Sequence, residues 1–534
     1  MIKKITGIFL LIVSFVWPQD PTVGLLFSNS NVTEGYTLFT PEVNNSVYLI
    51  NNCGEKINEW TFTENPGATC YLLENGTLLR AGDNNLEIRD WDNTVLWSYE
   101  MQANGLIQHH DIEPLPNGNI LCVVRDSYSD SEIIALGKNP LKVGTFIDLD
   151  KIVELEPVGT NDAAIVWEWK FMDHLIQDFD NTKPNYGSVE NHPEKIDINY
   201  IDPYFEDSDR SYTHVNSIDY NHELDQIIIS ARHLNEIYII DHSTTLVEAT
   251  SNTGGNFNRG GDILWRWGNP MVYKQGGPED QKLFLQHDAK WVESGYLDAG
   301  KISVFNNGIE DISLSSSVHL IAPEIIDNSY SIESNIFKPS GFDWSWSGSI
   351  LDKTMHEIRK SGAHSLPNGN FIICETSLGQ VSEITKNGDL LWTYRNPTGN
   401  SVIYDQFAYV SENFNSIFRA EKYPSNYIGF QGKDLTPQGI IENENAISDS
   451  CSTLSIARSE ISDLKIVNPV TNNTLRFNKT VKLDVINIMN INGSVVFTTN
   501  NFFNDHIFMK LNTGFYIAEL GIEGATKRIK ILVN

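Results

Sequence analysis

Three histidines recur in one kind of place. His110 in "HHDIEPL", His214 in "HVNSIDY" and His287 in "HDAKWVE" each open a short stretch of alternating apolar residues that runs to a turn. Alternation at period two is the mark of a strand. Asn216 follows His214 by two residues and so shares its face, and Arg232 closes the adjoining strand, "QIIISAR". Three imidazoles, an amide and a guanidinium, with no obligatory carboxylate, suit an oxyanion. Arg offers a planar fork to two oxygens, while Asn and protonated His donate further hydrogen bonds. Zinc is the competing chemistry, since three histidines can bind it. These lack the tight local spacing of common zinc motifs, and a nearby Arg repels a cation. The third reading makes each histidine a satisfied core or loop residue.

Neighbouring residues carry lesser expectations. His109 beside Asp111 is expected to orient His110. His233 and Arg266 flank the constellation, with a structural role expected. His364, in "SGAHSLPNGN", resembles a fourth position of the same kind. Asp178 to Asp180 ("DFDNTK") is too short for a calcium loop.

Residues so far apart need a repeat to bring them together. Trp, any residue, then an aromatic recurs as Trp60/Phe62, Trp97/Tyr99, Trp167/Trp169, Trp265/Trp267, Trp344/Trp346 and Trp392/Tyr394, and takes in nine of the 12 tryptophans. Between these lie "LLENGTLLRA", "PLPNGNILCVV" and "SLPNGNFIICET", each an Asn-Gly turn between apolar runs, a strong hairpin signal. Strand, turn, strand, then a Trp strand is the content of a propeller blade. Six Trp motifs predict six blades, and equivalent positions in successive blades face the central channel from one end.

The 534 residues exceed one ordinary core unless the architecture is a barrel or a repeat. A net charge of −31 argues against a nucleic-acid partner. "MIKKITGIFLLIVSFVWPQDP" reads as a signal peptide over 1–19: basic residues, then an apolar run too short to span a bilayer. No later stretch is long enough for a membrane span. The propeller is expected over 20–440, a polar linker over 441–458, and a small β-sandwich over 459–534. The fold class is therefore all-β: a six-bladed β-propeller followed by a small C-terminal β-sandwich. Of five cysteines, Cys53 and Cys70 bracket a hairpin-sized loop and are expected to pair after export. Cys122 and Cys374 sit in apolar runs, and Cys451 is the odd one out. Phosphate-loop, dinucleotide and nucleophile-elbow motifs are all missing.

"HHD", "THVNSIDY" with "ISARH", "GDILWRWGNP", "QHDAKW" and the repeated "LPNGN" together resemble the bacterial aryl-sulfate sulfotransferases, which use no nucleotide sulfate donor and need no cofactor. That family is a six-bladed propeller. The resemblance implies that His287 is the nucleophile and carries the sulfuryl group as a sulfohistidine. It also implies that His110, His214, Asn216 and Arg232 bind the sulfate oxygens, with no metal. The small-molecule partners would be an aryl sulfate donor and a phenolic acceptor, exchanged by ping-pong turnover. Best-known members carry an extra domain before the propeller, where this chain has a short run, so a homodimer stays an open expectation. "NPVTNNTLRF", "DVINIMNINGSVV" and "LNTGFYIAEL" are similar to sorting domains of the type IX secretion machinery. That implies export through the periplasm, then secretion or attachment at the cell surface. Two other functions stay open: a secreted propeller that binds or adheres without catalysis, and a sulfate-ester hydrolase, although the Cys/Ser-x-Pro-x-Arg sulfatase signature is missing.

Overall fold

All six Trp motifs stand on the fourth strand of an antiparallel sheet. The computed structural model describes residues 21–142, 146–202, 211–309, 315–443, 464–522 and 525–534. The expected signal peptide, most of the expected linker and Cys451 lie outside the described residues. The described residues divide between a unit within Val23–Ser448 and a second one at the C-terminal end.

The first unit is a six-bladed propeller. Listed from the inner strand outward, the second blade is Pro66–Leu72, Leu78–Gly82, Asn85–Arg89 and Val95–Glu100. The third runs Gln108–Pro114, Ile120–Ser129, Phe146–Val158 and Asp162–Lys170, and the fourth Val215–Asn221, Gln226–Ala231, Glu236–Asp241 and Trp265–Trp267. The fifth is His287–Trp291, Ile302–Asn306, Ser317–Ile321 and Trp344–Trp346. Strands from both ends of this unit close the ring. Ile417–Pro424 supplies the inner strand of the first blade, whose other strands are Gly35–Pro41, Ser46–Asn51 and Lys56–Thr61. Gly24–Ser28 adds a fifth strand outside the sixth blade, beyond Gly362–Ser365, Phe371–Glu375, Gln380–Ile384 and Leu390–Arg395.

Tryptophan does two jobs. Its ring fills the gap between blades, and its one N–H donor needs a partner once buried. That partner is always in the next blade. Trp60 donates to the Asp90 carbonyl (2.8 Å), Trp97 to Asp162 (2.8 Å) and Trp167 to Thr244 Oγ1 (3.1 Å). Trp265 donates to the Lys338 carbonyl (2.8 Å), Trp344 to Lys386 (3.1 Å) and Trp392 to Asn52 (2.8 Å), which returns to the first blade. In the fourth blade, Gln226–Ala231 and Glu236–Asp241 are buried along their whole length. A blade has a neighbour on each face, so its isoleucine runs need not alternate with polar residues. In the Asn-Gly hairpins the turn needs a left-handed residue, and Gly76, Gly118 and Gly369 supply it at φ 76°, 90° and 82°.

One cysteine expectation fails. Cys70 is a free thiol, buried on the inner strand of the second blade against Leu72 and Leu78, so it does not bridge to Cys53. The strand turns its side chain into the core, where burial pushes its pKa well up.

In the second unit four antiparallel strands pair in the order Val495–Phe508, Thr474–Asn490, Gly514–Ile522, Ala525–Val533. Leu475, Leu483, Ile486, Ile488, Leu520 and Ile531 form its core.

Candidate active site

Each of the three histidines sits within or beside a loss of register in its inner strand. His109, His110 and Asp111 stand opposite Val123 alone, because Gln108 pairs with Val124 and Ile112 with Cys122. Asn216 is bulged out between Val215, paired with Ala231, and Ser217, paired with Ser230. Asp288 and Ala289 face Val304 alone, between the pairs His287–Phe305 and Lys290–Ser303. Bulges re-aim side chains without ending the strand. The backbone strain is visible: His110, His214 and Asp288 take left-handed φ values of 62°, 49° and 56°.

The bulges gather the imidazoles at one end of the channel. The ring centroids of His110 and His214 are 4.9 Å apart, and those of His214 and His233 4.4 Å. Arg232 Nη1 lies 2.9 Å from His233 Nε2, whose Nδ1 donates to the Ser211 carbonyl at 2.5 Å. His214 Nδ1 meets Ser211 Oγ at 3.0 Å. His287 and Arg232 are both close enough to His110 for their charge to disfavour its protonation. Thus His110, His214, Arg232 and His287 form one cluster, joined by His233.

His287 is held in one tautomer. Its Nδ1 faces two oxygens, the Leu285 carbonyl at 3.0 Å and Asn307 Oδ1 at 2.7 Å. Asn307 cannot be the donor there, because its Nδ2 already donates to the carbonyls of Glu357 (2.7 Å) and Lys360 (2.9 Å). Nδ1 therefore carries the proton and Nε2 the lone pair. The Lys360 backbone N–H donates to that Nε2 at 3.2 Å.

Burial is the leading influence on every one of these groups. It lowers the pKa of His287 well below the usual value, and Arg232 adds to the effect. His110 and His214 are lowered well too, by burial and then by neighbouring imidazoles. His233 falls to about 4 and Arg232 to about 10. The cluster thus sets neutral imidazoles beside a buried guanidinium.

Asn216 is fully buried. Its Nδ2 donates to the Gln286 carbonyl at 2.7 Å, which ties the strand of His214 to that of His287, and its Oδ1 has no partner among the described residues. Arg266 is a core residue, paired with Glu236. Asp111 does not orient His109. The carboxylate that does is Asp150, 2.9 Å from His109 Nε2. Asp111 instead accepts from Arg419 Nη1 at 2.5 Å and from the Tyr71 hydroxyl at 2.9 Å.

Arg419 anchors a second layer that the sequence reading missed. It lies 3.1 Å from Asp288 Oδ1 and donates to the Asn216 carbonyl at 2.8 Å. Lys290 pairs with Glu421 at 2.7 Å, and His364 stands 3.4 Å from the same carboxylate. A signal existed: inner strands carry polar pairs at period two, Asp111/Glu113, Ser217/Asp219, Asp288/Lys290 and Arg419/Glu421. No group of three or more His, Cys, Asp or Glu residues placed to hold a metal ion occurs among the described residues.

Comparison with known proteins bears on this cluster. Residues 56–319 match the arylsulfotransferase (ASST) family. The arylsulfotransferase match spans His110, His214, Asn216, Arg232 and His287 and supports a sulfotransferase at family level, while Lys360, His364 and Arg419 lie beyond it. No curated protein matches the chain. Solved structures similar to it include a protein of unknown function from Bacteroides caccae, 12% identical, with TM-score 0.36 and coverage of 68% of this chain and 93% of that one. A streptogramin B lyase is 12% identical over 72% of this chain and 86% of that one, with TM-score 0.34. The β-propeller domain of Myceliophteria thermophila Cps50 (Swd1) is 8% identical over 72% and 90%, with TM-score 0.36.

Proposed function

We propose that the protein moves a sulfuryl group from an aryl sulfate to a phenolic acceptor through a sulfohistidine at His287. The observation that carries this reading is the fixed tautomer of His287: a neutral imidazole with its proton on Nδ1, Arg232 nearby, and on Nε2 a lone pair that substrate takes over from the Lys360 N–H. In the first half-reaction Nε2 attacks sulfur, the N–S bond forms, and the S–O bond to the ring breaks. The electron pair leaves on the phenolate oxygen, which takes up a proton. In the second, an acceptor phenol loses its proton and its oxygen attacks sulfur. The N–S bond breaks and neutral His287 returns. Covalent capture gives ping-pong kinetics.

The sulfuryl oxygens gain charge as the bonds exchange. Arg232, His214, His110 and the remaining N–H of Asn216 are the donors we assign to them, and such electrostatic support is often the largest catalytic contribution. Export follows the same reasoning. We assign the C-terminal unit to type IX sorting, supported by its all-β strand order and sequence motifs. Fusing residues 459–534 to a periplasmic reporter tests that assignment, and retention of the fusion in the periplasm would sink it.

The deciding assay follows nitrophenol release from 4-nitrophenyl sulfate with and without phenol. Release that depends on phenol, with phenyl sulfate as the second product, supports transfer. Release that ignores phenol points to hydrolysis, and no release, with glycan binding instead, to a binding propeller.

A further inference from the structure

The sulfuryl-transfer reading needs a group that protonates the departing phenolate and later deprotonates the acceptor, and that group must work where charge is disfavoured. Asp150, His109 and His110 are joined by successive short contacts. Asp150 Oδ1 is 2.9 Å from His109 Nε2, and His109 Nδ1 is 2.6 Å from His110 Nδ1. Asp150 Oδ2 also accepts from Thr213 Oγ1 at 2.7 Å and the Val215 N–H at 2.6 Å, so the carboxylate accepts from three donors. Its Oδ1 fixes a proton on His109 Nε2. Two ring nitrogens 2.6 Å apart must share one proton between them. His110 Nδ1 is thereby occupied, which leaves Nε2 to meet the substrate.

We propose that Asp150, His109 and His110 form a proton relay in which His110 serves as acid and base while the positive charge resides on His109. This rests on the transfer reading above. In the loaded state His109 carries protons on both nitrogens and faces the Asp150 carboxylate, while His110 carries its proton on Nε2. As the ester bond breaks, His110 passes the Nε2 proton to the phenolate oxygen and takes the Nδ1 proton of His109. His109 is left neutral, with its proton toward Asp150. His110 then holds an Nε2 lone pair that accepts the proton of the incoming phenol, and the two shifts reverse. One proton is delivered and one recovered per cycle, and His110 is neutral at both ends. Burial, His109, His287, Arg419 and Arg232 all disfavour a charged His110, which is why the charge is better held one residue away beside a carboxylate.

His109 is thus a positioning residue that acts through His110, and leaving-group dependence separates this role from a structural one. In the full-length protein, His109→Gln should slow phenol release from phenyl sulfate by roughly 10²-fold. The loss should be only severalfold for 4-nitrophenyl sulfate, whose leaving group needs little protonation. Asp150→Asn should show the same pattern more weakly, read beside its melting temperature because Asp150 also holds Thr213 and Val215. Equal losses with both esters, or no loss with either, would overturn the relay. Wild type that turns over neither ester overturns the transfer reading itself, and the relay with it.

Discussion

Two layers of buried polar residues meet on the inner strands, with Asp111 beside His110 and Asp288 beside His287, and burial acts on them with different outcomes. At the histidine layer, desolvation wins: His110, His214 and His287 fall well below the usual imidazole range and Arg232 to about 10. One step along the channel counter-charges win at Arg419, Asp288 and Lys290, although burial still raises Glu113 well up and Asp219 to about 7. Burial would lower Arg419, yet Asp288 and Asp111 raise it well up; burial would raise Asp288, yet Arg419 holds it far below the carboxylate range. Lys290 is likewise raised against its burial by Glu421. Burial alone therefore does not mark a functional site. The Arg419 layer pairs a cation with two carboxylates and holds the strands together, whereas the histidine layer gathers neutral imidazoles beside a guanidinium, groups that suit an oxyanion.

Replacing one residue from each layer sharpens the contrast. His287→Asn should remove turnover by roughly 10⁴-fold or more, as loss of a nucleophile does, with the melting temperature little changed. A residual rate that still responds to added phenol would move the nucleophile elsewhere. Arg419→Met should do the reverse to stability. It strands Asp111 and Asp288 as buried carboxylates, at a cost of about 3–5 kcal/mol in denaturant unfolding. A loss under about 1 kcal/mol would mean that the layer does not hold the ring, since removing a well-paired buried charge cannot be that mild. Arg232→Lys keeps the charge and loses the fork, so turnover should fall by roughly 10²-fold without loss of stability. Full activity in that variant would remove Arg232 from the oxyanion contacts.

What the sequence disclosed follows from which physics is local. Trp motifs and Asn-Gly turns are local, so the blade count and hairpins were legible. The ring closure was not: Gly24–Ser28 and Ile417–Pro424 join sheets hundreds of residues away, and nothing local tells a closing strand from any other. The same gap hid Arg419, which sits on that closing strand. The histidines were found because His110, His214 and His287 repeat one position. The bulges that aim them were invisible, since a bulge is a mismatch between two strands and cannot be seen in either alone. The partner of His109 was not legible either, since it is Asp150 and not the nearby Asp111. On a strand adjacent residues point apart, and the carboxylate in reach comes from two strands over.

A histidine outside the channel gives the finest test of the comparison. His242 is also largely buried, yet its pKa rises to about 9: burial would lower it, but Asp225 and Glu154 raise it more. Nδ1 meets Asp225 at 2.7 Å and Nε2 meets Glu154 at 3.0 Å, with the rings of Trp167 and Tyr220 set edge-to-face against it. The folded state binds this proton more tightly than the unfolded chain does. Its contribution to stability is therefore complete below the unfolded value of about 6.5 and is lost as pH rises through about 9. For the channel histidines the sign reverses, because their folded values are lowered: their contribution is complete above about 6.5 and falls as pH drops below it. Melting of the wild type and His242→Gln across pH 6 to 10 separates the two. The wild type should be the more stable by roughly 1–3 kcal/mol at the acid end, and the gap should close toward pH 10. A gap that holds constant to pH 10, or widens there, would show that His242 acts through packing and that its two carboxylates do not set its charge.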